Sequence, residues 1–143
     1  MFKNIFKKKV DDNNKENKAV LIAALLIHAA KIDENYTDIE KEIIKKAIIN
    51  LNIVSSEKVQ NILKKAEQKE KESNQIVEFT KEVKKNSMEF RLKIIEILWK
   101  IVYSDGSKGT YESNLIRRVC GLLYVSDRDS GIIKSKIENS KIN

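Results

Sequence analysis

The chain has 143 residues, and its 28 Lys and Arg outnumber 21 Asp and Glu, for a formal net charge of +7. That length encloses a core without staples, and a single cysteine, Cys120, excludes an intrachain disulfide and suits a reducing compartment. The longest apolar run, Ala19 to Ile27, falls short of the roughly 18–20 residues of a bilayer span and lacks the cleavage site of a secretory signal, so a cytoplasmic protein is expected.

The basic excess does not point to nucleic acid. Twenty-four of the cations are Lys and only four are Arg, whereas base and phosphate recognition leans on the bidentate fork of Arg. Lys and Glu interleave as they do on solvated helix faces. No nucleic-acid-binding motif is present, and no nucleic-acid partner is expected.

With no Pro, four Gly and apolar residues at helical spacing, the sequence predicts an all-α, single-domain bundle of about seven helices. Residues 1–17 form a basic, Asn-rich arm, expected to be flexible. Within it Phe2, Ile5 and Phe6 share one helical face, beside Lys7, Lys8 and Lys9. Such a pattern would give weak, salt-sensitive contact with an anionic membrane surface. The helical domain is expected over 18–140.

The first helix is predicted at about 18–31 and is apolar nearly all round, which marks a central, buried helix. Its His28, the only histidine, is expected near the core. The second helix is predicted at about 38–51, capped by Asp38, with an inward stripe of Ile39, Ile43, Ile44, Ala47, Ile48 and Leu51. The third is expected to begin at Ser55 or Ser56 and to bury Val59, Ile62, Leu63 and Ala66. The fourth follows Ser73, with Ile76, Val77, Phe79 and Val83 inward. Asn86 with Glu89 reads as the reciprocal cap of a fifth helix that reaches about Ser104 and buries Leu92, Ile94, Ile95, Leu98, Ile101 and Val102. Trp99 is read as packing. Thr110 is expected to cap the sixth helix, where Cys120 is a buried, inert thiol. Ser126 with Asp129 opens the seventh.

The chain also repeats itself. Ile39, Ile43, Ile44, Ala47, Ile48 and Leu51 recur, in the same order and at the same spacing, as Tyr111, Leu115, Ile116, Val119, Cys120 and Leu123. The repeat unit is a helical hairpin followed by a further helix, at about 19–66 and again at 91–137, with approximate two-fold symmetry expected.

The offset that carries Ile39 onto Tyr111 also carries Asp33 onto Asp105 and Glu40 onto Glu112. Glu40 and Glu112 lie in the first turn of a helix, where the dipole favours a carboxylate. Asp33 and Asp105 follow the C-terminal ends of buried helices, where exposed carbonyls repel an anion. They want a partner: a turn amide, a cation or a bound metal. Oxygen ligands from a turn and a helix start suit a hard divalent ion such as calcium, magnesium or manganese. Neither turn is an EF-hand, since position 12 counted from each Asp is Ile44 or Ile116 instead of Glu.

The segment from Ile94 to Asp105, IIEILWKIVYSD, with Gly106, Glu112, Leu115-Ile116-Arg117-Arg118 and Leu122-Leu123-Tyr124-Val125-Ser126, resembles the TerB family of tellurite-resistance B-like proteins. Leu25-Leu26, Ala29-Ala30, Lys31, Asp33 and Glu40 fit in the first repeat, so the resemblance spans about 18–137. It implies an all-helical bundle of two related halves, an intracellular role linked to chemical or metal stress, and a cation site at Asp33, Glu40, Asp105 and Glu112. The chain departs from the pattern at Glu34, where the family often has Gly, and at His28, where it often has Glu.

No nucleophile–base pair, phosphate loop or zinc spacing argues for an enzyme. The expected function is a non-enzymatic binding or scaffold module in bacterial stress response, with another protein as partner. The alternative is a membrane-peripheral adaptor that docks through the N-terminal arm.

Overall fold

The computed structural model describes the backbone of residues 2–32, 36–73, 75–104 and 110–142, and the side chains of 14–32, 36–73, 75–104 and 113–140. Among the described residues there are seven helices and no strand: α1 (Phe2–Lys31), α2 (Asp38–Asn50), α3 (Val59–Glu72), α4 (Val77–Lys84), α5 (Met88–Tyr103), α6 (Thr110–Leu123) and α7 (Asp127–Ile142).

The first helix starts at Phe2, well before the expected Lys18, so the backbone of the N-terminal arm is helical. Neither Pro nor Gly interrupts the segment, and nothing in it forces a stop. Glu16 ties the region to α3 through Lys58 at 3.5 Å and Lys65 at 3.8 Å. The apolar stretch of α1 is the centre of the fold. Ile22, Leu25, Leu26 and Ile27 are fully enclosed, with α3 as the principal neighbour and α2, α4 and α5 also in contact.

The internal repeat is present in the backbone. α1 ends at Lys31 and α5 at Tyr103, the residue that the repeat maps onto it. α2 begins at Asp38 and α6 at its counterpart, Thr110. α1 packs most extensively on α3, and α5 correspondingly on α7. α4 stands outside the repeat and lies against α1, α6 and α5, joining the halves.

Several helix starts differ from expectation by a residue or more. Thr37, not Asp38, caps α2: its Oγ1 accepts from the Glu40 N–H at 3.1 Å, and Glu40 Oε1 accepts from the Thr37 N–H at 2.9 Å. This reciprocal pair is a capping box. Ser87, not Asn86, caps α5 by accepting from the Phe90 N–H at 3.2 Å. Asn86 instead closes α4, donating its side-chain amide to the carbonyls of Glu82 and Val83. α3 begins after Lys58 without a side-chain cap, because Ser55 and Ser56 sit in the preceding turn. Ser126 caps α7 as expected, accepting from the Asp129 N–H at 3.1 Å.

Two stripe assignments also change. Ile39 is 63% exposed, and the inward place one turn before Ile44 belongs to Glu40. Val77 is 45% exposed, because the inward set of α4 is Ile76, Phe79, Thr80 and Val83, a strict helical spacing.

Candidate functional site

The candidate cation site divides between described and undescribed residues. Asp33 and Asp105 lie outside the described residues, and so does the side chain of Glu112 in α6. Glu40 is described. It is 3% exposed, and its Oε1 accepts from both the backbone N–H and the hydroxyl of Thr37, at 2.9 and 3.0 Å. That oxygen is committed to closing the helix start. Among the described residues no group of three or more His, Cys, Asp or Glu side chains converges on one point.

Around the first turn the end of α1 is tied to α3 by one carboxylate. Glu70 Oε1 lies 3.2 Å from His28 Nδ1, and Glu70 Oε2 accepts from Lys31 Nζ at 3.2 Å. His28 is thus a partly exposed, partnered histidine that faces α3. Tyr36 lies between two cations, with Lys31 Nζ 5.9 Å and Lys41 Nζ 5.0 Å from its ring centre. Burial pushes the Tyr36 phenol up to about 12, with the charges of Glu67, Glu40 and Glu70 adding to the effect. A shallow hollow of about 260 Å³ opens beside it, lined in part by Tyr36, Lys41, Lys45 and Glu67.

The second half makes an equivalent tie with different chemistry. Tyr103, the counterpart of Lys31 in the repeat, donates its hydroxyl to Glu138 on α7. Burial and then that bond raise the Tyr103 phenol. Trp99 stacks on Tyr103 with ring centres 6.1 Å apart and donates its indole N–H to Ser130 Oγ at 3.1 Å. Lys134 Nζ lies 5.2 Å from the Trp99 ring centre. In each half, therefore, the last residue of the long apolar helix is pinned to a glutamate on the half's third helix. The sequence reading missed Glu70 and Glu138, because pairing across 42 and 35 residues leaves no local pattern.

Cys120 is buried, and burial pushes its thiol up; Asp127 adds to the rise and Ser130 opposes it. A thiol held protonated is a poor nucleophile. Phe2, Ile5, Phe6, Lys7, Lys8 and Lys9 belong to the helical backbone of α1, but their side chains lie outside the described set. Among the described residues no helix is long and apolar enough to cross a membrane.

These features define an all-helical module built from two related three-helix halves, with an acidic turn in each and one extra helix between them. Residues 19–135 match the family model of TerB, tellurite resistance protein TerB, and the chain belongs to that family. The resemblance read from the IIEILWKIVYSD segment and its counterpart holds over nearly the same residues. Neither a curated protein nor a solved structure matches the chain.

Proposed function

We propose that this TerB-family chain is a non-enzymatic binding module of bacterial stress response, in which each acidic turn takes one divalent cation. The observation that carries this reading is the equivalence of the two turns. Each leaves a long apolar helix at the same point of the repeat, after Lys31 and after Tyr103. Each enters the next helix at matching positions, Asp38 and Thr110. An Asp stands at the same place in both. Carbonyls at the end of a buried helix favour a cation, and a carboxylate there gains from one. Asp33 and Asp105 are the principal ligands, while Glu40 and Glu112 act from the helix starts. With Glu40 Oε1 engaged by Thr37, its contribution runs through the helix start that it closes.

Calorimetric titration of calcium, magnesium and manganese into wild type and an Asp33→Ala/Asp105→Ala variant tests the reading. It expects heat from at least one metal with wild type and none with the folded variant. Heat that survives in the variant places the cation elsewhere.

The second reading is a membrane-peripheral adaptor. The helical backbone of residues 2–17 favours it, since that conformation places Phe2, Ile5 and Phe6 on one face. Deleting residues 1–9 should abolish co-sedimentation with anionic vesicles, and unchanged binding would discard the arm.

A further inference from the structure

The two halves of the fold are unequally covered. Against the second half, α4 lies over α1 and α6 and turns Ile76, Phe79, Thr80 and Val83 inward. On the two helices that α4 contacts, Leu25 of α1 and Leu115, Val119 and Leu123 of α6 are buried. The repeat maps this pair of helices onto α5 and α2. Leu25 becomes Ile97, and Leu115, Val119 and Leu123 become Ile43, Ala47 and Leu51.

At that mapped position no described helix lies on top. α2 and α5 meet directly and leave an open groove of about 460 Å³. Its floor is Ile43, Ala47, Leu51 and Ile97. Ile43 and Leu51 are half-buried where their counterparts Leu115 and Leu123 are enclosed. The fold thus displays, on one half, an apolar seat that the other half fills with a short amphipathic helix.

The rim of the seat says what kind of helix fits. Lys46, Lys93 and Lys100 stand along it, all exposed. Among the described residues of the lining the one acid, Glu96, pairs with Lys100 at 3.5 Å. Lys93 meets Glu89 at 3.8 Å, a long contact to a side chain 82% exposed. Three ammonium groups around an apolar floor favour carboxylates on the flanks of the incoming segment. They disfavour the N-terminal arm of a second copy, whose first nine residues carry four Lys and no acid.

We propose that the α2–α5 groove docks an acidic amphipathic helix of a partner protein, seated where the other half of the fold seats α4. The seated helix presents apolar residues at i, i+3, i+4 and i+7, the spacing at which α4 turns Ile76, Phe79, Thr80 and Val83 inward. Its Asp and Glu flank that stripe and meet Lys46, Lys93 and Lys100. The proposal shares the binding-module reading but does not use the acidic turns, so either can fail alone.

The test is titration of the isotope-labelled full chain with a synthetic amphipathic peptide of roughly 12 residues, with Leu at the four stripe positions and Glu elsewhere. A matched peptide carries Lys in place of Glu. The acidic peptide should shift amide resonances in residues 43–51 and 93–100, and the basic peptide should not. A Lys46→Glu/Lys93→Glu/Lys100→Glu variant, changed only at exposed positions, should lose affinity by about tenfold or more with unchanged helical circular dichroism. The Asp33→Ala/Asp105→Ala variant should bind the peptide as wild type does. Absence of binding, shifts confined to another face, or equal affinity in the triple variant would overturn the proposal. So would groove amides that respond to phosphatidylglycerol vesicles and not to the peptide.

Discussion

Asn52 and Tyr124 are counterparts in the repeat and hold the backbone in the same left-handed conformation, at φ 57° and 56°. Each closes the amphipathic helix of its half. The Tyr124 N–H donates to the Gly121 carbonyl at 3.4 Å, and the Val125 N–H donates to the Cys120 carbonyl at 2.9 Å. The Asn52 N–H reaches the Ile49 carbonyl at 3.1 Å in the same way. This is the left-handed helix closure that glycine usually supplies, and its recurrence at the repeat offset extends the duplication beyond the apolar stripes.

Replacing Asn52 with Gly should therefore raise stability by about 0.5–1 kcal/mol, because glycine enters this region without a Cβ penalty. Asn52→Val should lower it by about 1–2 kcal/mol, since a β-branched residue is strained there. Urea denaturation midpoints distinguish the two. Equal midpoints would mean that the closure is not held in solution.

The start of α2 gives a second test. Thr37→Ala removes the side-chain acceptor of the Glu40 N–H and should cost about 1 kcal/mol. Thr37→Ser keeps that acceptor and should recover most of the loss. Thermal melts read both, and a Thr37→Ala protein as stable as wild type would refute the capping role.

The extent to which these features can be read from the sequence follows the range of the forces involved. The stripes of α1, α5 and α6 were legible because helical spacing is local, and Ile94, Ile95, Leu98, Leu115 and Ile116 are buried as expected. The caps shifted by a residue where two capable side chains are adjacent, as at Thr37-Asp38 and Asn86-Ser87. Which of them becomes the cap depends on where the chain turns, and tertiary packing decides that. The clamp of Glu70 on His28 and Lys31, the seat of α4 and the groove it leaves uncovered elsewhere are long-range. A charged run such as residues 67–72 reads as solvent-facing until its neighbour across the bundle is known.

Ser130 is buried and accepts from the indole N–H of Trp99. Ser130→Ala should leave that donor unpaired and cost about 1–3 kcal/mol. Trp99 is the only tryptophan, so its emission should change on substitution without loss of helical circular dichroism. Unaltered emission and stability would show that the bond contributes nothing.

Tyr36 gives a pH signature. Its phenol is raised from 10.0 to about 12, first by burial and then by the charges of Glu67, Glu40 and Glu70. The folded value lies above the unfolded one. The stability tied to the neutral phenol is therefore intact below pH 10.0 and is lost as pH climbs toward about 12. Ultraviolet titration of wild type against Tyr36→Phe should assign a late-forming tyrosinate to Tyr36, beside the likewise raised Tyr103, and Glu67→Gln should bring the Tyr36 step earlier without restoring the ordinary value. An ordinary titration at Tyr36 would contradict the burial.

The central claim, that the duplicated turns are duplicated cation sites, is tested most directly by binding stoichiometry in the single variants. Calorimetry of calcium, magnesium and manganese should give two cations per chain for wild type, one for Asp33→Ala, one for Asp105→Ala and none for the double variant, all four proteins keeping wild-type helical circular dichroism. No heat from wild type with any of the three metals, or the same stoichiometry in all four proteins, would contradict it.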